Sequence, residues 1–353
     1  MTTVHIKATR EYDVFIERGL IKSVGEYAAR FVKPMKAVLI AGTNAYSYYG
    51  ETVEKSLKDA GFTVLTFVHE TGEGAKSIET YGKIMNFLCD NRVSRSDIVL
   101  ALGGGVTGDL AGFVAATYLR GVKYIQIPTT LLAAVDSSVG GKTAINLNSG
   151  KNQAGCFYQP CAVLCDPDTL KTLAPEDYRC GVAETIKYGV LGDAEFFAFL
   201  EKNDIHDVEE EVIAHCVKMK RDIVLNDEFD RGERQKLNLG HSIGHACEKC
   251  SGFKLHHGDA VATGMAIIMR AAVKKGLCPE SEYERVVNLL KRYNLPTSTD
   301  YSAEELFLGA KADKKIENGK IHLIVPRKAG ECDMVPVDID GIKEWIIQGE
   351  PNG

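Results

Sequence analysis

The sequence predicts an α/β protein, with an N-terminal Rossmann-like parallel-sheet domain over 1–180 and a mainly α-helical C-terminal domain over 181–353. Three observations predict it. Short apolar runs alternate with helix-compatible segments through the first half, which is the mark of βαβ units. One of these runs, Ile98–Leu102, breaks into three consecutive glycines, Gly103–Gly105. From about Gly181 to Tyr293, helical periodicity takes over and strand signals become few.

In chain order, residues 2–8 and 12–17 alternate as short strands with a turn between them. Ala37–Ala41 reads as a buried strand ending in Gly42-Thr43-Asn44, with a helical pattern after it through Lys58. Phe62–Val68 is the next strand, and the stretch from His69 to Ser77 looks like a loop at its end. Ser77–Asn91 has helical spacing, and Asp97–Leu102 feeds the glycines. Asp109–Leu119 suits a helix, and Tyr124–Ile127, closed by Pro128, suits a strand. Near the other end, Ile321–Val325 and Cys332–Val335 form a strand pair, the second stopping at Pro336.

Parallel sheets bind ligands at the carboxyl ends of their strands. Gly42–Asn44, Thr71–Lys76 and Gly103–Asp109 all fall at such ends, and their convergence predicts a nucleotide site. Glycine is wanted there because a Cβ blocks close approach of backbone N–H groups to a phosphate. Three glycines also suit a tight loop between buried elements, and the pattern is not G-x-G-x-x-G. The residues that follow favour a ligand. Asp136, Lys142, Lys151 and Asn152 sit among glycine, serine and threonine, in ordered polar loops suited to a polyhydroxylated anion.

A net charge of −6 argues against nucleic acid as a partner, while a local cluster of Lys and Arg still permits an anionic substrate. No apolar run is long enough for a membrane span. The opening MTTVHIKATREYDVFIERG carries charges where a signal peptide needs an apolar centre, so a cytoplasmic location is expected. The ten cysteines are then reduced thiols. Cys247 and Cys250 make a lone C-x-x-C in a helical context, read as packed thiols. The crowding of Cys156, Cys161 and Cys165 has no functional reading.

A second cluster combines Glu184, His241 with His245, and the pair His256-His257. Residues four apart share a helix face, so His241 and His245 line up. Two histidines and a carboxylate with an open position make a catalytic zinc site. Polar packing is the other reading of that spacing.

These motifs resemble those of the 3-dehydroquinate synthase family. The family pattern GGGV-x-GD-x-AGF, RG, PTTLLA-x-VDSSVGGKT and GKN is present at Gly103–Phe113, Arg120–Gly121, Pro128–Thr143 and Gly150–Asn152. The likeness covers most of the chain and is weakest over 1–35 and 329–353. It implies conversion of 3-deoxy-arabino-heptulosonate 7-phosphate, a phosphorylated sugar acid, to 3-dehydroquinate and phosphate in the shikimate pathway. The implied course is transient oxidation at C5 by tightly held NAD, elimination of phosphate, reduction, ring opening and intramolecular aldol closure.

The resemblance assigns zinc to Glu184, His241 and His257. Gly258-Asp259 favours His257 over His256, and cobalt suits the same ligands. It assigns substrate contacts to Asp136, Lys142, Asn152, Lys187, Lys220, Arg234, Asn238, His245 and Lys314, with Lys315 competing for the last role. It implies a homodimer in which Arg120 reaches the phosphate at a neighbouring subunit's site. For NAD it implies Asn44, then Thr71, Gly72, Glu73, Gly74, Ala75 and Lys76, then Gly105, Val106, Thr107, Gly108 and Asp109. Thr129, Thr130, Lys142 and Lys151 follow, with Thr169, Leu170, Lys171 and Thr172. No arginine stands ready for a 2′-phosphate, in keeping with NAD.

At Pro175–Gly181 the sequence departs from the family. Glu176-Asp177 stand where a basic residue is common, so packing ahead of Glu184 is expected to differ. Two rival activities share the implied machinery: a related sugar phosphate cyclase such as 2-deoxy-scyllo-inosose synthase, and a metal-dependent polyol dehydrogenase. Arg234, Lys220 and Asn238, suited to a substrate carboxylate, favour the shikimate substrate.

Overall fold

The computed structural model describes residues 1–148, 150–311 and 320–350. The chain divides into two compact units: Met1–Leu173 with Glu209–Phe229, and Ala174–Val208 with Asp230–Gly353. The helix Glu209–Asn226 belongs to the first, because it packs on the N-terminal strand pair and on the turn Ala133–Ser137.

The strands of the first unit are β1 (Thr2–Ile6), β2 (Tyr12–Ile16), β3 (Lys36–Gly42), β4 (Thr63–His69), β5 (Ile98–Gly103), β6 (Lys123–Pro128), β7 (Lys142–Leu147), β8 (Gly150–Phe157) and β9 (Ala162–Cys165). Seven of them form a sheet in the order β1-β2-β9-β6-β5-β3-β4, parallel except for the β1–β2 pair. The central strands are buried along nearly their whole length, as expected of a sheet covered on both faces. Leu39, Leu100 and Leu164 face one apolar cluster, while Val38, Val99 and Tyr124 face the other.

The order of strands creates a crevice. The connection after β3 leads outward to β4, whereas that after β5 leads the opposite way to β6. The carboxyl ends of the adjacent strands β3 and β5 therefore open at a topological switch point, where parallel sheets take their ligands.

The first-half expectations for strands and helices hold with shifted boundaries. The helix expected from Asp109 starts at Gly105 and runs to Thr117. Glycine's poor propensity hides that start in the sequence. The residues read as polar loops around Lys142 and Asn152 are instead the antiparallel hairpin β7–β8. Cys161, just ahead of β9, and Cys165, its last residue, are buried, and the ten cysteines are all free thiols.

The second unit is helical, with a two-stranded ribbon, Lys320–Lys328 and Glu331–Asp338. The second strand does not stop at Pro336 as expected. A ribbon leaves one edge of each strand without ladder bonds, and a proline is tolerated there. Helices Ala303–Lys311 and Gly341–Gly349 extend the unit beyond the periodic stretch seen in the sequence. Glu176 and Asp177 lie in the first turn of the helix Pro175–Gly192, where the helix dipole favours acidic side chains. Among the described residues no helix is long and apolar enough to cross a membrane.

Candidate functional site

In the first unit, the glycine turn makes an open helix N-terminus. Gly103 has φ +156°, and a Cβ there would lie 2.5 Å from Oγ1 of Thr107. Gly104 caps the helix Gly105–Thr117 without a side-chain hydrogen bond. The first N–H groups of that helix, with its positive dipole end, suit an anion.

Around this turn the structure gathers several of the expected cofactor residues. The Asn44 amide donates to Thr71 Oγ1 at 3.2 Å. Glu73 accepts from Asn146 Nδ2 at 2.7 Å, and Asn146 Oδ1 accepts from the Asn152 amide at 2.8 Å. Lys76, nearly fully buried, donates to Asp109 and to Asn152 Oδ1. Burial pushes the Asp109 carboxyl up, against the pull of Lys76. Asn152 holds a left-handed φ of +56°, which asparagine tolerates better than most residues.

The remaining cofactor candidates occupy four places. Gly72, Gly74 and Ala75 shape the one-turn helix Glu73–Ala75, and Val106 and Gly108 lie in the first turn after the glycines. The Thr129 amide donates to the Gly103 carbonyl at 3.0 Å, and Thr130 Oγ1 accepts from the Ala133 amide. Thr169, Leu170 and Thr172 lie on the turn Pro167–Thr172, where Tyr49 OH meets the Thr169 carbonyl and Thr172 Oγ1. Lys171 is exposed and paired with Asp168.

Of the substrate candidates in this unit, Lys220 is buried and donates to the Asp136 carbonyl at 2.6 Å, with the Asp136 carboxylate at 2.8 Å. Lys142 opens β7 on its exposed side, and Lys151 is half-buried on β8. Arg120 is not brought to the glycine turn. It is exposed beyond the far end of the helix Gly105–Thr117, roughly 20 Å away at 1.5 Å per residue.

Sequence reasoning missed His69, buried at the end of β4. Its Nδ1 faces the Glu70 carbonyl at 2.8 Å and its Nε2 faces Thr107 Oγ1 at 3.1 Å. Burial lowers its pKa, so the ring is neutral with the proton on Nδ1, and Thr107 donates to Nε2. Its position at a strand end was the available signal.

The second unit brings Glu184, His241 and His257 together, with one ligand atom from each within 4.8 Å of the others. Glu184 is buried on the helix Pro175–Gly192. His241 and His257 are the first residues of the helices His241–Cys250 and His257–Lys274. Glycines let these three helices meet. A Cβ on Gly258 would lie 2.3 Å from Cys180 Cα, and one on Gly264 would lie 2.0 Å from the Gly240 carbonyl oxygen.

The donor set fits a divalent metal. His241 Nδ1 donates to the Leu239 carbonyl at 3.1 Å and His257 Nδ1 to Glu248 at 2.9 Å, which leaves both Nε2 atoms for a ligand. Those atoms lie 3.6 and 3.5 Å from Glu184 Oε1. A tetrahedral zinc site with bonds of about 2.1 Å has edges of about 3.4 Å. His245 stands beside the set, its ring centre 5.4 Å from that of His241. Lys187 is buried one turn after Glu184 and paired with it. Arg234, also buried, and half-buried Asn238 belong to the turn Glu233–Asn238. Lys314 lies outside the described residues.

Burial alone would lower the pKa of His257, but hydrogen bonds to Glu184 and Glu248 raise it to about 9. In the metal-free protein that proton adds stability below the ordinary value of 6.5, and the contribution is lost as the pH rises through about 9. A metal must displace the proton. Zinc affinity is therefore expected to rise about tenfold per pH unit from pH 7 to 8.5, as measured by chelator competition. A flat profile over that range contradicts the raised pKa of His257.

Comparison with known proteins places this geometry in context. A family model described as 3-dehydroquinate synthase N-terminal matches residues 66–180, and one described as 3-dehydroquinate synthase C-terminal matches residues 181–316. A 3-dehydroquinate synthase from Enterococcus faecalis (strain ATCC 47077 / OG1RF) is 42% identical over 344 residues, 96% of each chain. The structure of 2-epi-5-epi-valiolone synthase from Streptomyces hygroscopicus subsp. jinggangensis 5008, with NAD+ and Zn2+ bound, matches with TM-score 0.88 and 27% identity over 98% of each chain. A 2-deoxy-scyllo-inosose synthase complexed with carbaglucose-6-phosphate, NAD+ and Co2+ matches with TM-score 0.86 and 26% identity, over 98% of this chain and 99% of that one.

Proposed function

The chain belongs to the 3-dehydroquinate synthase family, and from that premise we infer that it converts 3-deoxy-arabino-heptulosonate 7-phosphate to 3-dehydroquinate and phosphate. The observation that carries this reading is the Glu184–His241–His257 donor set, formed in a chain whose full-length likeness to 3-dehydroquinate synthases reaches 42%. The cyclases that act on other sugars share the fold at 26–27% identity, which favours the shikimate substrate over theirs.

NAD, when bound, would supply a reversible hydride acceptor, and a metal held by Glu184, His241 and His257 would supply a Lewis acid for the hydroxyl that is oxidised. The protein's own residues bind, orient and shield. The switch point of the first unit would hold the dinucleotide, the open N-terminus of Gly105–Thr117 suiting its pyrophosphate and the Glu73 carboxylate suiting its ribose hydroxyls. Lys76 holds Asp109 and Asn152 in place around it.

A substrate with both phosphate and carboxylate asks for several fixed cations. We assign this work to Lys142, Lys187, Lys220, Arg234 and Lys314, with Asp136, Asn152, Asn238 and His245 fixing hydroxyls. Lys220 and Lys187 are held by Asp136 and Glu184, so neither needs to be ordered when substrate arrives. Phosphate elimination then needs little acid–base machinery, since a phosphate oxygen is suited to take the acidified proton. Arg120, stranded far from the glycine turn, fits a role at a second subunit's site, and the reading includes a homodimer. The free thiols accord with a cytoplasmic enzyme.

Metal removal tests this reading. Dialysis against a chelator is expected to abolish phosphate release from 3-deoxy-arabino-heptulosonate 7-phosphate, and added zinc or cobalt to restore it. Full activity in a preparation verified free of metal would sink the reading.

A further inference from the structure

We propose that Glu248 positions His257 for metal binding, fixing its tautomer, its ring orientation and the charge behind it. The inference rests on the metal reading given above. Glu248 is the seventh residue after His241, so His241, His245 and Glu248 occupy i, i+4 and i+7 on one face of the helix His241–Cys250. From that face its Oε1 lies 2.9 Å from Nδ1 of His257, which opens the following helix. An ionised carboxylate only accepts hydrogen bonds, so Nδ1 carries the proton. The lone pair is thereby assigned to Nε2, the atom 3.5 Å from Glu184 Oε1.

The two histidines are oriented by partners of different kinds. His241 leans on the neutral carbonyl of Leu239, two residues before it. His257 leans on a carboxylate from another helix, belonging to a residue only 4% exposed. A carboxylate is seldom kept at such depth without a charge to answer. Glu248 is not among the residues whose ligand atoms converge. Its charge nevertheless stands one imidazole behind that point, where it raises the basicity of the ligating nitrogen. With Glu184 it supplies two negative charges for a dication. Without Glu248, the imidazole is free to rotate or to move its proton to Nε2, and either change removes a ligand.

The test is zinc affinity by chelator competition, together with the visible spectrum of the cobalt-loaded protein, for the unmodified chain, Glu248→Ala and Glu248→Gln. Zinc is expected to bind Glu248→Ala about 10- to 100-fold more weakly. Glu248→Gln is expected to fall between, because its amide oxygen still accepts from Nδ1–H but carries no charge. The cobalt spectrum should shift in both variants, while melting of the metal-free proteins reports separately on the fold. If Glu248→Ala fails to fold, Glu248→Gln carries the test. Affinities within about twofold of the unmodified chain, with its cobalt spectrum retained, overturn the proposal. An unmodified chain that binds no zinc overturns the metal reading instead, and the proposal falls with it.

Discussion

Replacing His257 by alanine is expected to remove tightly bound zinc and to lower kcat/KM on the order of a thousandfold or more, about 4 kcal/mol of transition-state stabilisation. Three candidate ligands from three helices converge at this point, and His257 is the one held by a carboxylate from another helix. With it gone, Glu184 and His241 remain as a two-point site that keeps neither the geometry nor the affinity of three. Glu184 then stays buried beside Lys187, so the fold around it should survive. Zinc content by atomic absorption and kcat/KM on the phosphorylated sugar acid check this together. A variant that keeps one zinc per chain and stays within about tenfold of normal turnover contradicts the ligand assignment.

Lys76→Met is the second large effect, and it acts on stability. Lys76 is buried against Asp109, whose carboxyl is already pushed up by burial. Removing one partner of a buried pair strands the other charge, at about 3–5 kcal/mol. The pH dependence has a definite sign. An unpaired Asp109 will have a folded pKa further above its unfolded value, so the variant is least impaired in acid and loses stability as the pH rises through that raised pKa. Urea unfolding at pH 5.5 and pH 8 should show a larger deficit at pH 8. Adding Asp109→Asn should recover a good part of it. A deficit under about 1 kcal/mol at both pH values contradicts the role given to this pair.

Much of the first unit was legible because its signals are local. Buried strands such as Val38–Ile40 and Val99–Leu102 are continuous apolar runs, and Ser77 announces its helix by accepting from the Thr80 amide. The hairpin β7–β8 was hidden because Gly150, Lys151 and Asn152 read as turn chemistry, while the pairing partners lie across the turn. The helix Glu209–Asn226 is plain from its periodicity. Its attachment to the first unit is not, because attachment depends on contacts distant in sequence.

The metal site divides the same way. Motif likeness singled out Glu184, His241 and His257, and the structure brings them together. Glu248 was overlooked although it continues the i, i+4, i+7 face, since its partner lies past a turn on another helix. The glycines that let the helices meet, Gly258 and Gly264, look unremarkable in a helical stretch. Their importance is steric and appears only when the neighbouring backbone is in place.

The most direct test of the whole account follows phosphate and NADH together during turnover of 3-deoxy-arabino-heptulosonate 7-phosphate with zinc and catalytic NAD. The account predicts one phosphate per 3-dehydroquinate formed, many turnovers per NAD, and no accumulating NADH. NADH that builds up in step with oxidation of a polyol, or phosphate released from glucose 6-phosphate but not from the seven-carbon acid, would contradict it.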